Sequence, residues 1–144
     1  SDLLAYSVLV ICTGNSCRSQ MAEAYFRKFT DGQWQCESAG TKPTGYVHPF
    51  AVKAMGEDAV DLTSHTSKSL AGLITEDWTY VVAVCDDAVE ACPVFVGAEC
   101  VLYWPFPDPA DVSGSSDERM IAFRETRDAI KRRVGEFLRE LNVN

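Results

Sequence analysis

The 144 residues are 47% hydrophobic and 24% charged, with a formal net charge of −8 at pH 7. That length suits one domain with a single core (residues 1–144), and no stretch is long and apolar enough to span a membrane. Lys and Arg are scattered on an acidic chain, which argues against nucleic acid or an anionic membrane as partner. The run Tyr6 to Ile11 (YSVLVI) has the apolar, β-branched character of a strand buried on both faces, and it ends at Cys12-Thr13-Gly14. Ala22, Tyr25, Phe26 and Phe29 then recur at helical spacing, with Gly32 beyond the expected end of the helix. Gln33 to Ser38 reads as a second strand closed by Ala39-Gly40, and Pro49 to Gly56 as a short helix entered at a proline. Thr79 to Val84 (TYVVAV) is another buried strand ending on a cysteine, Cys85. Cys100 to Tyr103 is a fourth, shorter strand, followed by the proline-rich loop Pro105 to Pro109. Ser115 and Glu118 have capping-box spacing, and Ile130, Val134, Phe137 and Leu141 mark the apolar face of a long last helix.

Strands alternating with helices predict an α/β fold, a three-layer sandwich around a central parallel sheet of about four strands, with ligands at the carboxyl ends of the strands. The opening segment Ser1 to Leu9 carries no basic leader before an apolar run, so a cytoplasmic location is expected, and a monomer with it. In such a compartment the six cysteines, Cys12, Cys17, Cys36, Cys85, Cys92 and Cys100, read as thiols rather than a disulfide framework. None forms a Cys-x-x-Cys pair, so a four-thiolate zinc site has little support, and neither His48 nor His65 has a metal-spaced partner. Both histidines are expected to be turn or cap residues, and no cofactor or metal is expected.

The sharpest local feature is Cys12-Thr13-Gly14-Asn15-Ser16-Cys17-Arg18-Ser19, between the first strand and the first helix. Gly14 and Asn15 accept unusual backbone dihedrals, so consecutive N–H groups can turn inward and form an anion-binding concavity at a helix N-terminus. A chain of net charge −8 repels small anions at long range, so only a local, preorganised array of this kind would hold one. Arg18 adds a planar fork for two oxygens of a tetrahedral anion, and the setting favours the thiolate form of Cys12, the nucleophilic form. Ser19 is placed to donate a hydrogen bond to that sulfur.

CTGNSCRS near the N-terminus resembles the signature loop of the low-molecular-weight tyrosine phosphatase superfamily, which includes thioredoxin-coupled arsenate reductases. The resemblance implies the α/β fold just inferred, Cys12 as nucleophile, and an Asp-Pro late in the chain as general acid. Asp108-Pro109 answers to it; on composition alone this dipeptide would read as a turn. The task implied for Asp108 is proton delivery to the oxygen that leaves the substrate.

Beyond what a phosphatase needs, Cys85 and Cys92 lie in VVAVCDDAVEACPV, after a strand whose carboxyl end should lie on the same side of the sheet as Cys12. The arsenate reductase branch is similar here: it carries two redox cysteines at this spacing, the second followed by proline. The resemblance implies that arsenate bonds to Cys12 and that Cys85 attacks the Cys12 sulfur and expels arsenite. Cys92 then attacks Cys85, and thioredoxin restores the dithiol. If residues 85 to 92 are helical, their Cα atoms stand about 10.5 Å apart, too far for a disulfide, so this segment is expected to rearrange on oxidation. Cys36 and Cys100, each in a strand, are expected to pack; Cys17, within the loop, is left open.

Some reductases of this branch hold a potassium ion through residues that correspond here to Asn15, Glu23 and Ser38, with an aspartate where this chain has Lys68. The expectation is a fixed ammonium charge instead of a metal. The phosphatase branch also places an aromatic residue after its Asp-Pro, where this chain has Ala110, so a small inorganic anion is expected, with phosphate and sulfate as competitors of arsenate. A phosphomonoesterase using Cys12, Arg18 and Asp108 is the alternative reading, and a non-catalytic oxyanion binder or redox-sensing module is a third.

Overall fold

A computed structural model of the chain describes residues 6–73, 76–86 and 98–141. The elements are β1 (Ser7–Cys12), α1 (Arg18–Phe29), β2 (Gln35–Gly40), α2 (Pro49–Glu57), β3 (Trp78–Ala83), β4 (Ala98–Tyr103) and α3 (Ser116–Glu140). Short 3-10 turns occupy Leu70–Gly72 and Pro109–Asp111. The four strands are parallel in the order β2-β1-β3-β4. The α/β class and the four-stranded parallel sheet are as expected. The chain steps from β1 to one side to make β2 and then to the other to make β3, and such a switch point opens a crevice beyond the carboxyl ends of β1 and β3.

Every residue of β1 is buried, as a central strand covered on both faces must be. α1 and α3 pack together on the sheet through an aromatic seam. Phe26 of α1 stacks on Trp34 and Trp104 at 6.2 and 5.9 Å, and Phe137 of α3 meets Tyr80 of β3 edge-on at 5.2 Å. The capping box at the head of α3 forms as its spacing predicts: Glu118 N–H donates to the Ser115 hydroxyl and Ser115 N–H to the Glu118 carboxylate, both at 3.1 Å.

Most boundaries shift by a residue or two, and three of the differences bear on packing. β2 does not stop before Ala39-Gly40 but includes both residues, because Gly40 pairs with Cys12. A Cβ on Gly40 would come within 3.0 Å of the Asn15 nitrogen and closer still to the Thr13 carbonyl, so glycine here serves a close backbone approach and not a turn. β4 begins at Ala98 rather than Cys100. On α3 the buried stripe runs through Ile130, Val134, Phe137 and Leu138, whereas Leu141 is the C-cap and 36% exposed. The expected rearranging segment 85 to 92 falls mostly, and Cys92 entirely, outside the described residues. Among the described residues no helix is long and apolar enough to cross a membrane.

Candidate active site

The anion loop leaves β1 at Cys12 and enters α1 at Arg18. Asn15 adopts a left-handed φ of 49° and is fully buried, which an asparagine tolerates better than most residues. Each carbonyl from Cys12 to Ser16 is taken by a donor outside the loop. Thr41 N–H reaches Cys12, Lys42 N–H reaches Thr13, Thr44 N–H reaches Gly14 and His48 N–H reaches Ser16, at 2.9–3.2 Å. Gln20 Nε2 takes the Asn15 carbonyl at 3.0 Å, and the Ser67 hydroxyl adds a second bond to Gly14 at 2.9 Å. Residues 41–48 thus form a strap along the outside of the loop. With its carbonyls bound outward, the loop turns positive N–H dipoles inward, the condition for an anion concavity. Gly14 admits the strap: a Cβ there would sit 3.2 Å from the Thr44 methyl.

The Cys12 sulfur, 2% exposed as a residue, accepts the Asn15 N–H at 3.2 Å and lies 2.9 Å from the Ser19 hydroxyl. Asn15 Nδ2 donates to that same hydroxyl oxygen at 2.8 Å, so the Ser19 hydrogen is left to point at sulfur. Two donors therefore converge on the Cys12 sulfur. Cys17 lies beside it in the cavity wall, but burial, reinforced by Asp108, pushes its thiol up to about 12. It stays protonated and is no second nucleophile. Cys36, expected to pack, is 1% exposed in β2, and burial raises it likewise to about 12; Cys100 is half-buried on β4.

Arg18, 3% exposed, reaches across to the proline-rich loop: Nη1 donates to the Phe106 carbonyl at 2.9 Å and Nη2 lies 3.6 Å from Asp108 Oδ2. Asp108 Oδ1 accepts the Ala110 N–H at 3.0 Å, which sets the carboxyl group's orientation. Cys12, Arg18 and Asp108 line one cavity of about 120 Å³, with Gly14, Ser16, Cys17, Thr44, Tyr46, His48 and Ala110. Thr44, Tyr46 and His48 were not among the expected site residues, because they reach the cavity only where the strap folds back along the loop. A larger groove, about 570 Å³ along α3 beside Phe29, contains none of the reactive side chains.

Cys85 lies just past β3 at the carboxyl edge of the sheet, where Cys12 ends β1. Ile11 pairs with Ala83, and Val84 N–H donates to the Ile11 carbonyl at 3.0 Å. Adjacent strands lie about 4.8 Å apart, so the two cysteines leave neighbouring strand ends one residue out of step. Cys85 is disulfide-bonded, whereas Cys12, Cys17, Cys36 and Cys100 are free.

Behind the loop, Asn15 Nδ2 also donates to the Ser38 hydroxyl at 2.9 Å, and Ser38 donates to Glu23 Oε1 at 2.6 Å. Glu23 is already served by cations: Arg27 Nη2 lies 2.9 Å from it and Lys68 Nζ 3.9 Å. Asn15 Oδ1 is filled by the Lys68 N–H and by Gln20 Nε2, at 2.9 and 3.1 Å. Asn15 Oδ1 and Glu23 thus have partners within the chain, and the Lys68 ammonium stands 3.9 Å from the Glu23 carboxylate. Among the described residues no cluster of three or more His, Cys, Asp or Glu is placed to hold a metal ion.

A buried cysteine and arginine in a strand-to-helix anion loop, facing an aspartate from a distant loop, define a phosphatase-type oxyanion site. The profile of the low molecular weight phosphotyrosine protein phosphatase family matches residues 7–144, and the chain belongs to that family. Within it, the chain is 38% identical to an arsenate reductase of Halalkalibacterium halodurans over 130 residues, 90% of this chain and 93% of that one. The solved structure of an arsenate reductase in the phosphate binding state superposes with a TM-score of 0.79 at 29% identity, covering 96% of this chain and 99% of that one. Another, of an arsenate reductase in oxidized state, superposes with a TM-score of 0.77 at 28% identity, covering 93% and 97%.

Proposed function

We propose that the protein is a thioredoxin-coupled arsenate reductase working through Cys12, Cys85 and Cys92. The observation that carries this reading is the pairing of β1 with β3, which delivers Cys85 beside the nucleophile's strand end; a phosphatase has no use for a second thiol there. Similarity to arsenate reductases over nine-tenths of the chain supports it.

Arsenate sits on the inward N–H groups of residues 13–18 with Arg18 on its oxygens. The Cys12 thiolate attacks arsenic(V), an S–As bond forms, and one oxygen leaves as water with the proton held by Asp108. The Cys85 thiolate then attacks the Cys12 sulfur. An S–S bond forms, the S–As bond breaks, and its electron pair stays on arsenic, which departs as arsenite. The Cys92 thiolate attacks Cys85 in turn and frees Cys12 as thiolate, with the two electrons' worth of oxidation now stored in a Cys85–Cys92 disulfide. A dithiol of the thioredoxin type resets the chain, which suits one domain in a reducing compartment, the cytoplasm.

The test is arsenate-dependent NADPH oxidation with thioredoxin and thioredoxin reductase, comparing the parent with Cys92→Ser. The expected result is sustained turnover by the parent and one arsenite per molecule, then arrest, for Cys92→Ser. A parent that reduces no arsenate but hydrolyses an aryl phosphate would establish the phosphomonoesterase reading instead.

A further inference from the structure

His48 lines the same cavity as Cys12, Arg18 and Asp108, and among the described residues it is, besides Arg18, the only lining side chain that carries nitrogen. It is also the N-cap of α2, and its Nδ1 accepts the Phe50 N–H at 3.0 Å. An accepting Nδ1 holds no proton, so the neutral ring carries its hydrogen on Nε2. The ring packs on Phe123 and Phe50, with centroids at 4.7 and 5.4 Å. With Nδ1 taken by α2 and the ring in a cluster with Phe50 and Phe123, Nε2 is the ring nitrogen left to serve the cavity that His48 lines.

The ring is also held neutral. Burial lowers its proton affinity first and Arg119 from α3 second, against a smaller opposing pull from Asp108 of the acid loop. An imidazolium would moreover set Nδ1–H against the Phe50 N–H and break the cap.

We propose that His48 is an oxyanion-binding, specificity-determining residue whose Nε2–H donates to an outer oxygen of the tetrahedral anion seated in the loop. The proposal rests on the arsenate reading of this cavity. The loop N–H groups gather the oxygens nearest the floor, and Arg18 is partly committed to Phe106 and Asp108, so the outer oxygens need another donor. A neutral donor suits that place. A second full cation there would pair with Asp108 and hold it ionised, leaving no proton to deliver. A directional N–H also favours an anion with a bare outer oxygen over an ester, whose outer oxygen carries carbon and accepts poorly. His48 thus biases the cavity toward the inorganic anion.

The experiment compares the reduced parent with His48→Ser and His48→Ala. Serine keeps a good cap acceptor but does not reach the cavity, and alanine removes both. Binding of inorganic phosphate is read by calorimetry, steady-state constants with arsenate, and melting temperature on all three. A hydrogen bond to a charged group corresponds to roughly a tenfold effect or more. His48→Ser should therefore weaken phosphate about tenfold and raise KM for arsenate similarly with kcat little changed, as loss of uniform binding requires. Its melting temperature should stay near the parent's while that of His48→Ala falls. Equal phosphate affinity in parent and His48→Ser overturns the proposal. So does a loss of affinity accompanied by the same melting-temperature drop as His48→Ala, since the cap would then be responsible. Phosphate binding is read without turnover, so a parent that binds phosphate in a His48-dependent way yet reduces no arsenate refutes the reductase reading and leaves the donor in place.

Discussion

Asn15 is the residue on which the anion loop depends most, and its replacement by alanine has a cost that the structure allows to be worked out. Its left-handed φ of 49° costs an ordinary L-residue about 1–2 kcal/mol. Its side chain donates to Ser19 and Ser38 and accepts from Gln20 and the Lys68 N–H. Gln20 keeps the Thr66 carbonyl as a partner and Ser38 keeps Glu23, so the Lys68 N–H is the group left orphaned, at about 1–3 kcal/mol. Together these give about 2–5 kcal/mol, which for a chain of this size lowers the melting temperature by roughly 7–15 °C. Asn15→Gly separates the two causes. It loses the same side-chain bonds but carries no left-handed penalty, and after the entropy glycine adds to the unfolded chain it should retain about 1 kcal/mol more than Asn15→Ala. Urea and thermal unfolding of the three proteins measure this. A loss below about 1 kcal/mol in Asn15→Ala, or a glycine variant less stable than the alanine one, would refute the reasoning.

Potassium should not matter to the parent. With Lys68 Nζ and Arg27 already on Glu23, kcat/KM for arsenate should be the same in potassium and choline chloride, whereas Lys68→Met should lose rate and recover part of it with potassium; a large potassium response by the parent refutes the fixed-charge reading. Acid stability should depend on Asp58, whose carboxyl is held below its ordinary value by hydrogen bonds from Lys131 and then Tyr25. A depressed folded value means this contribution is fully present above the unfolded value of about 3.9 and lost as pH falls through the lower folded one. Asp58→Asn should therefore show a shallower loss of stability below about pH 4 in denaturant titrations; an unchanged slope would count against the linkage.

What was legible in the sequence is what local pattern controls. The apolar run of β1 and its break at Cys12, the spacing of Tyr25 and Phe26 on α1, and the Ser115–Glu118 cap each depend on neighbours within a few residues, and each formed. Non-local contacts set what was missed. Ala39-Gly40 looks like a turn until Cys12 is alongside and the Thr13 carbonyl fills the space of a Cβ. Leu141 continues the helical period of Phe137, but the chain leaves α3 there and the buried stripe ends at Leu138. His48 reads as a cap next to Pro49, which it is. Nothing in its neighbourhood along the chain says that the strap before it would run beside the anion loop and carry its ring to the cavity.

The strap also resolves how an acidic chain holds an oxyanion. Long-range charge opposes binding, so the favourable term must come from dipoles within a few ångströms, and dipoles cancel unless the loop's carbonyls are turned away. Residues 41–48 and Gln20 do this by hydrogen-bonding the carbonyls of Cys12 through Ser16 from outside. The same economy places Asp108. Trp104 N–H bonds the Ala83 carbonyl and Phe106 N–H the Val84 carbonyl, while Val84 N–H bonds Ile11. Arg18 then closes the circuit on the Phe106 carbonyl. Asp108 is thus held over Cys12 by a continuation of the sheet's own ladder rather than by its distant pairing with Arg18 at 3.6 Å. Cys12, Arg18, Asp108 and the Cys85 strand end keep one register because they hang from adjacent strands of one sheet.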